Sequence, residues 1–196
     1  MTAALLFVSG ARVAGDDDER GLGPGERSYV ATLSGRRRVQ STRARTLLRQ
    51  GLARVLGGRA ADLEVAVDAQ GKPHISNGPW VSLAHSGEAV AALVDFDGPC
   101  GVDVEDARAV RDFRALASAA FGARPAGTDW TARAFYDAWC LREARFKAGT
   151  VGASAWTFQL GPFRGAAVTS GAGAPGCWSR TARGWAAAEL ALTPAP

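Results

Sequence analysis

Between Val81 and Glu105 three short apolar runs follow one another closely: Val81 to Ala84, Ala89 to Phe96, and Cys100 to Glu105. His85-Ser86-Gly87-Glu88 separates the first two, and Asp97-Gly98-Pro99 the second and third. Connections this short leave no room for a crossover helix, so the first two runs form a β-hairpin and the third continues as a further short strand. Whatever else the chain does, its centre is antiparallel sheet.

The flanking segments add helices. From Ser41 onward Leu47, Leu48, Leu52, Val55 and Leu56 recur at helical spacing, and Gly57-Gly58 marks a stop. Val110 to Phe121 has helical periodicity and breaks over Gly122 to Gly127; Phe135, Trp139 and Phe146 mark a further helix that Gly149 and Gly152 end. Ala3 to Val8 reads as a first strand, Leu63 to Val67 as another running into a turn over Asp68 to Pro73. Trp156 to Leu160, Ala166 to Ser170, Cys177 to Thr181 and Ala186 to Leu192 are the remaining strand candidates, whereas the acidic run Asp16 to Glu19 and the glycine-rich stretch to Gly25 read as loop. The expected class is α+β: mostly antiparallel strands with packed helices in both halves, no sequence repeat between them, and a midpoint near Pro99.

At 196 residues and 47% hydrophobic content the chain can bury a real core. Its net charge of +4 is modest, but Arg36, Arg37, Arg38, Arg43, Arg45, Arg49 and Arg54 crowd one segment, which expects an anionic partner. The three cysteines, Cys100, Cys140 and Cys177, are far apart and without CxxC or paired histidine spacing, so neither a disulfide framework nor a zinc site is expected, and a reducing cytoplasm suits them. The first apolar stretch is too short to span a bilayer, and no Lys or Arg precedes it as a signal peptide requires.

In Gly101-Val102-Asp103-Val104-Glu105 side chains alternate, so the valines face a core and Asp103 and Glu105 emerge together on the other side. Two adjacent carboxylates repel and are stabilised by a cation; hard oxygen donors of this kind suit magnesium, and the competing reading is a solvated strand edge. Glu143 and Lys147 stand four residues apart on the helix containing Trp139, either as a surface ion pair or as part of a site.

Taken together, Gly101 to Glu105 and Trp139-Cys140-Leu141-Arg142-Glu143-Ala144-Arg145-Phe146-Lys147 resemble the signature pair of the 4'-phosphopantetheinyl transferases, in particular the larger, surfactin-synthetase-activating type. Gly71-Lys72-Pro73 and Val81-Ser82-Leu83-Ala84-His85-Ser86-Gly87 look like that family's upstream motifs, in order and at similar distances, and Arg43 to Leu48 resembles its basic helix start more loosely. The resemblance implies a monomer with two similarly folded halves, residues 1–98 and 99–196, related by a pseudo-two-fold axis, with coenzyme A between them. It further implies that Asp103, Glu105 and Glu143 coordinate magnesium and that Lys147 contacts the transferring phosphate. Lys72, His85-Ser86, Arg45 and Arg36 to Arg38, Arg38 among them, are the implied coenzyme A contacts. The implied reaction moves phosphopantetheine from coenzyme A to a serine of an apo carrier protein (acyl, peptidyl or aryl) and releases adenosine 3',5'-bisphosphate.

Two residues depart from the family pattern. Arg142 stands where lysine is common, a planar fork in place of a point charge, and Ala84 lacks the hydroxyl often found before the histidine. Three rival readings carry different marks. A non-catalytic binder of coenzyme A or of a carrier would be expected to have lost one of Asp103, Glu105, Glu143 and Lys147, all of which are present. A nucleic-acid binder lacks a supporting motif, and a magnesium-dependent hydrolase leaves the histidine motif unexplained.

Overall fold

The computed structural model describes residues 4–60, 62–122, 130–149 and 154–195. In chain order these form β1 (Ala4–Ser9), α1 (Pro24–Ala31), α2 (Gly35–Leu56), β2 (Val65–Val67), β3 (Pro73–Ile75), β4 (Trp80–Ser86), β5 (Ala89–Asp95), β6 (Gly101–Asp106), α3 (Phe113–Phe121), α4 (Ala132–Ala148), β7 (Ser154–Leu160), β8 (Phe163–Thr169), β9 (Gly176–Thr181), β10 (Gly184–Ala187) and β11 (Thr193–Pro194). The class is α+β. A five-stranded sheet runs β10-β9-β1-β5-β4, a four-stranded sheet β11-β7-β8-β6, and β2 pairs with β3 alone. Every pairing is antiparallel except that of β1 with β9. That parallel pairing draws β9 and β10, from late in the chain, onto a sheet otherwise built by its first half.

The alternation of each strand sorts side chains into layers. Leu6 and Val8 of β1, Ala91 and Leu93 of β5, Val102 and Val104 of β6 and Phe158 of β7 fill the space between the two large sheets. Their neighbours in sequence point the other way: Phe7, Val90, Ala92 and Val94 meet Ala44, Leu47, Leu48 and Leu52 of α2. On the far side of the second sheet, Cys140, Ala144 and Ala148 of α4 lie on Ala155, Ala166 and Val168. The order is therefore helix, sheet, sheet, helix. Among the described residues no helix is long and apolar enough to cross a membrane.

Both outer helices sit close because a glycine lets them. A Cβ on Gly51 of α2 would overlap the Phe7 ring of β1, and a Cβ on Gly101 of β6 would overlap the Ala144 carbonyl of α4. A helix at the glycine-rich stretch after Gly21 was not expected. Pro24 opens α1 at a position where its missing N–H costs nothing, and Glu26 Oε2 accepts from the Gly23 N–H at 2.9 Å. The same oxygen accepts from Arg49 Nε at 2.8 Å, so α1 is fastened to α2 by a buried ion pair. The α2 helix also begins earlier than expected, at Gly35, and takes the arginine run into its first turns. Most of the expected break over residues 122–127, and the expected stop at Gly152, lie outside the described residues.

Gly101→Ala should lower unfolding stability by about 2–3 kcal/mol, because the added methyl has only backbone to meet. Gly58→Ala, where the added atom meets nothing within 4 Å, should change it by less than about 0.5 kcal/mol. Urea unfolding of the two variants beside the parent checks both.

Candidate functional site

The two large sheets meet along their edge strands, β4 and β6. There the bridging groups are serine hydroxyls: the Val102 N–H donates to Ser82 Oγ and the Asp106 N–H to Ser86 Oγ, each at 3.1 Å. Because Val102 and Val104 turn into the core, Asp103 and Glu105 turn towards α4, as the alternation predicts. Asp103 is 8% exposed. Its Oδ1 accepts from Lys147 Nζ at 2.7 Å, and that ammonium also donates to the Val102 carbonyl at 3.0 Å. Burial pushes the Asp103 carboxyl above its ordinary range, and the Lys147 charge opposes the rise.

The turn over Asp68 to Pro73 brings a second lysine to the same place. Asp68 Oδ1 accepts from the N–H groups of Gln70 and Lys72 at 2.9 and 2.8 Å, and Lys72 Nζ then reaches the Lys147 carbonyl at 2.6 Å. Arg45 approaches from α2. Its guanidinium donates to Ser41 Oγ at 2.7 Å and to the Gly71 carbonyl at 3.0 Å, and lies over the Tyr29 ring, 4.5 Å from its centre. Burial lowers its pKa from the usual arginine value, as expected for a cation held out of water.

These groups line one cavity of about 490 Å3. Arg37, Arg45, Lys72, His85, Asp103, Glu143 and Lys147 all belong to its lining, as does Phe146, whose ring is exposed. His85 has its pKa lowered from the ordinary 6.5, first by burial and then by the Lys147 charge, so the imidazole is held neutral.

Of the expected site residues, then, Asp103, Glu143, Lys147, Lys72, His85 and Arg45 share a cavity. Glu105 lines the neighbouring one, of about 380 Å3, with Arg111, Tyr136 and Trp139, and accepts from Ser86 Oγ at 2.8 Å. Arg38 forks onto Glu19 at 2.7 and 2.9 Å, and Arg37 lines the cavity in its place. Sequence reasoning passed over Tyr29, Ser41 and Ser82. Arg37, Ser41 and Arg45 are spaced four apart, so they stand on one face of α2, a pattern legible only once the helix is known to start at Gly35. Phe121, Trp130 and Phe135 pack with one another, and Arg142 donates to the Ala120 carbonyl beside the Phe121 and Trp139 rings.

Among the described residues no group of three or more His, Cys, Asp or Glu side chains gathers closely enough to hold a metal ion. The donor chemistry nonetheless fits a hard cation. Asp103 Oδ2 is buried without a hydrogen-bond partner, Glu143 lines the same cavity, and magnesium ordinarily completes its shell with waters and substrate phosphates.

No family model matches the chain. Two curated proteins do: the 4'-phosphopantetheinyl transferases AcpT of Salmonella typhimurium, 35% identical over 104 residues, and of Salmonella typhi, 35% identical over 101 residues. About half of this chain is similar in sequence to these two 4'-phosphopantetheinyl transferases. Each match covers 47% of this chain and 52% of the relative, so the chain spans about half the length of the curated relatives it matches.

Lys147→Met should cost about 2 kcal/mol of stability by leaving the Asp103 carboxylate buried without its ammonium, and Lys147→Met/Asp103→Asn should recover part of it. Equal losses in the single and double variants would contradict the pairing. His85 supplies a pH test. Its folded-state pKa lies below that of the unfolded chain, so its contribution is full above about pH 6.5 and is lost as the pH falls through the folded value. His85→Gln should flatten that part of the stability profile, measured by urea midpoints at pH values on either side of 6.5.

Proposed function

We propose that the protein transfers the 4'-phosphopantetheine arm of coenzyme A to a serine of an apo carrier protein, acyl, peptidyl or aryl, giving the holo carrier and adenosine 3',5'-bisphosphate. The observation that carries this reading is the make-up of one cavity, in which Arg37, Arg45 and Lys72 share the lining with a buried carboxylate that has an unpartnered oxygen. The sequence similarity of half the chain to the two 4'-phosphopantetheinyl transferases supports it.

Coenzyme A presents a pyrophosphate and a 3'-phosphate. Arg37, Arg45 and Lys72 are placed to bind such groups, and a neutral His85 can donate one N–H without adding charge. Asp103 and Glu143, which share the cavity, would hold magnesium, which when bound offsets negative charge on the phosphates. The serine Oγ attacks the phosphorus that bears the pantetheine arm, the bond to adenosine 3',5'-bisphosphate breaks, and the hydroxyl proton passes to the Glu143 carboxylate. Lys147, which donates to Asp103, contacts the transferring phosphate and stabilises charge there. The protein would act as a monomer in a reducing cytoplasm, its basic surface steering acidic carriers towards the cleft.

Incubation with coenzyme A, magnesium and a panel of unmodified carriers, followed by intact-protein mass spectrometry, should show one added phosphopantetheine on the cognate carrier. Glu143→Gln and Asp103→Ala should each reduce the rate at least about 100-fold with the fold retained. Near-normal turnover in either variant, or release of phosphopantetheine to water, would overturn the assignment.

A further inference from the structure

We infer that Tyr29 is a positioning residue for Arg45: its ring holds one face of that guanidinium where a carboxylate would otherwise pair with it, so that the arginine's charge is left for a phosphate of coenzyme A. The inference rests on the function proposed above and concerns how the cavity holds anions.

The α2 helix buries two arginines, Arg43 and Arg45. Asp16 stands 3.9 Å from the Arg43 guanidinium, whereas among the described residues no carboxylate comes within 4.0 Å of Arg45. Arg45 is 3% exposed, and a cation taken out of water without an opposite charge is costly. Glu26 of α1 acts on it through space, but that carboxylate already accepts from Arg49 Nε and from the Gly23 N–H. What covers Arg45 is an aromatic face, the Tyr29 ring, centred 4.5 Å from the guanidinium carbon. Such a face attracts a cation and takes none of its in-plane N–H groups.

The in-plane contacts go to neutral oxygens. Nη1 donates to Ser41 Oγ at 2.7 Å and Nη2 to the Gly71 carbonyl at 3.0 Å, while Nε is buried with no hydrogen-bond partner. The ring sets the plane of the fork and the two oxygens set its direction within that plane. A net positive charge and an unpartnered donor are thus fixed in a cavity that Tyr29, Ser41, Arg45 and Gly71 all line. A phosphate brings both the opposite charge and the acceptor oxygens that this fork lacks. Gly71 serves the arrangement twice. Its carbonyl takes Nη2, and a Cβ on it would overlap the Tyr29 hydroxyl, so the missing side chain is what admits the ring.

The test is calorimetric titration of the full-length protein with coenzyme A, in EDTA and without carrier, with urea midpoints confirming that each variant is folded. Arg45→Gln should weaken binding about 10-fold to 100-fold. Tyr29→Leu should weaken it about 10-fold, because the fork is then free to turn and must be ordered on binding. Tyr29→Phe, which keeps the ring, should stay within about twofold of the parent. A trifluorinated phenylalanine at position 29 keeps the ring's shape but withdraws negative charge from its face, and should bind about 5-fold more weakly than Tyr29→Phe. Adding Tyr29→Leu to Arg45→Gln should change affinity by less than about twofold, since a residue that acts through Arg45 has nothing left to position.

Parental affinity in Tyr29→Leu, loss of binding in Tyr29→Phe, indifference to fluorination, or the full Tyr29→Leu loss recurring in the Arg45→Gln background would each overturn the inference; the last is what a tyrosine that merely holds α1 in place would give. Should Tyr29→Leu fail to fold, the phenylalanine and its fluorinated counterpart, each with and without Arg45→Gln, decide the same question. The parent protein separates this failure from that of the function. If it modifies carriers while coenzyme A affinity ignores Tyr29, only the role of Tyr29 falls. If it binds no coenzyme A, the proposed function falls and this inference with it.

Discussion

Two edge strands, each with backbone N–H groups that no neighbouring strand satisfies, lie against one another where the sheets meet, and serine hydroxyls from β4 take the N–H groups of Val102 and Asp106. Much of the remaining arrangement follows from this seam. It sets the two sheets face to face over one apolar layer, so the helices can pack only on the outside, α2 on one sheet and α4 on the other. It also brings His85 of β4 and Asp103 of β6 to one cavity although neither sheet contains both. The cavity is where the outer helices and the seam come together.

Its chemistry comes from holding unlike charges partly out of water. Arg45 is buried and pinned by Ser41, Gly71 and Tyr29, so its guanidinium is already aimed and loses little freedom when an anion arrives. Asp103 is buried with one oxygen paired and the other not, an arrangement that is costly unless something else comes to it. Phosphates on one side and a cation on the other would satisfy both. Lys147 links the two, since its ammonium is the counter-ion of Asp103 and lines the same cavity as Arg37, Arg45 and Lys72. A group-transfer site needs that combination, because charge must move between donor and leaving group without rearrangement of the protein.

Legibility in the sequence followed the range of the forces involved. The β4–β5 hairpin, β6 and α4 were readable because period-two and helical alternation are local consequences of backbone geometry. The α1 helix was not, because Pro24, Gly25 and their glycine neighbours read as loop, and what holds the segment helical includes Arg49, 23 residues away from Glu26. Arg37 and Arg38 show the same limit more finely. Both lie in an arginine run, but one helical step turns the first to the cavity and the second to Glu19, a choice that depends on where α2 begins and what lies beside it.

The sequence by itself determined the class of fold, the facing of Asp103 and Glu105 to the side opposite Val102 and Val104, and the set of residue types suited to phosphate and metal chemistry. Only the tertiary structure decided which of them meet. It joined Lys72 to Lys147 and Asp103 to Lys147 across long stretches of chain, gave Glu105 to Ser86, and drew β9 and β10 onto the first sheet. The physical reason is that alternation and capping act over a few residues, whereas the pairing of edge strands and the burial of opposite charges depend on surfaces that exist only after the sheets and helices have packed.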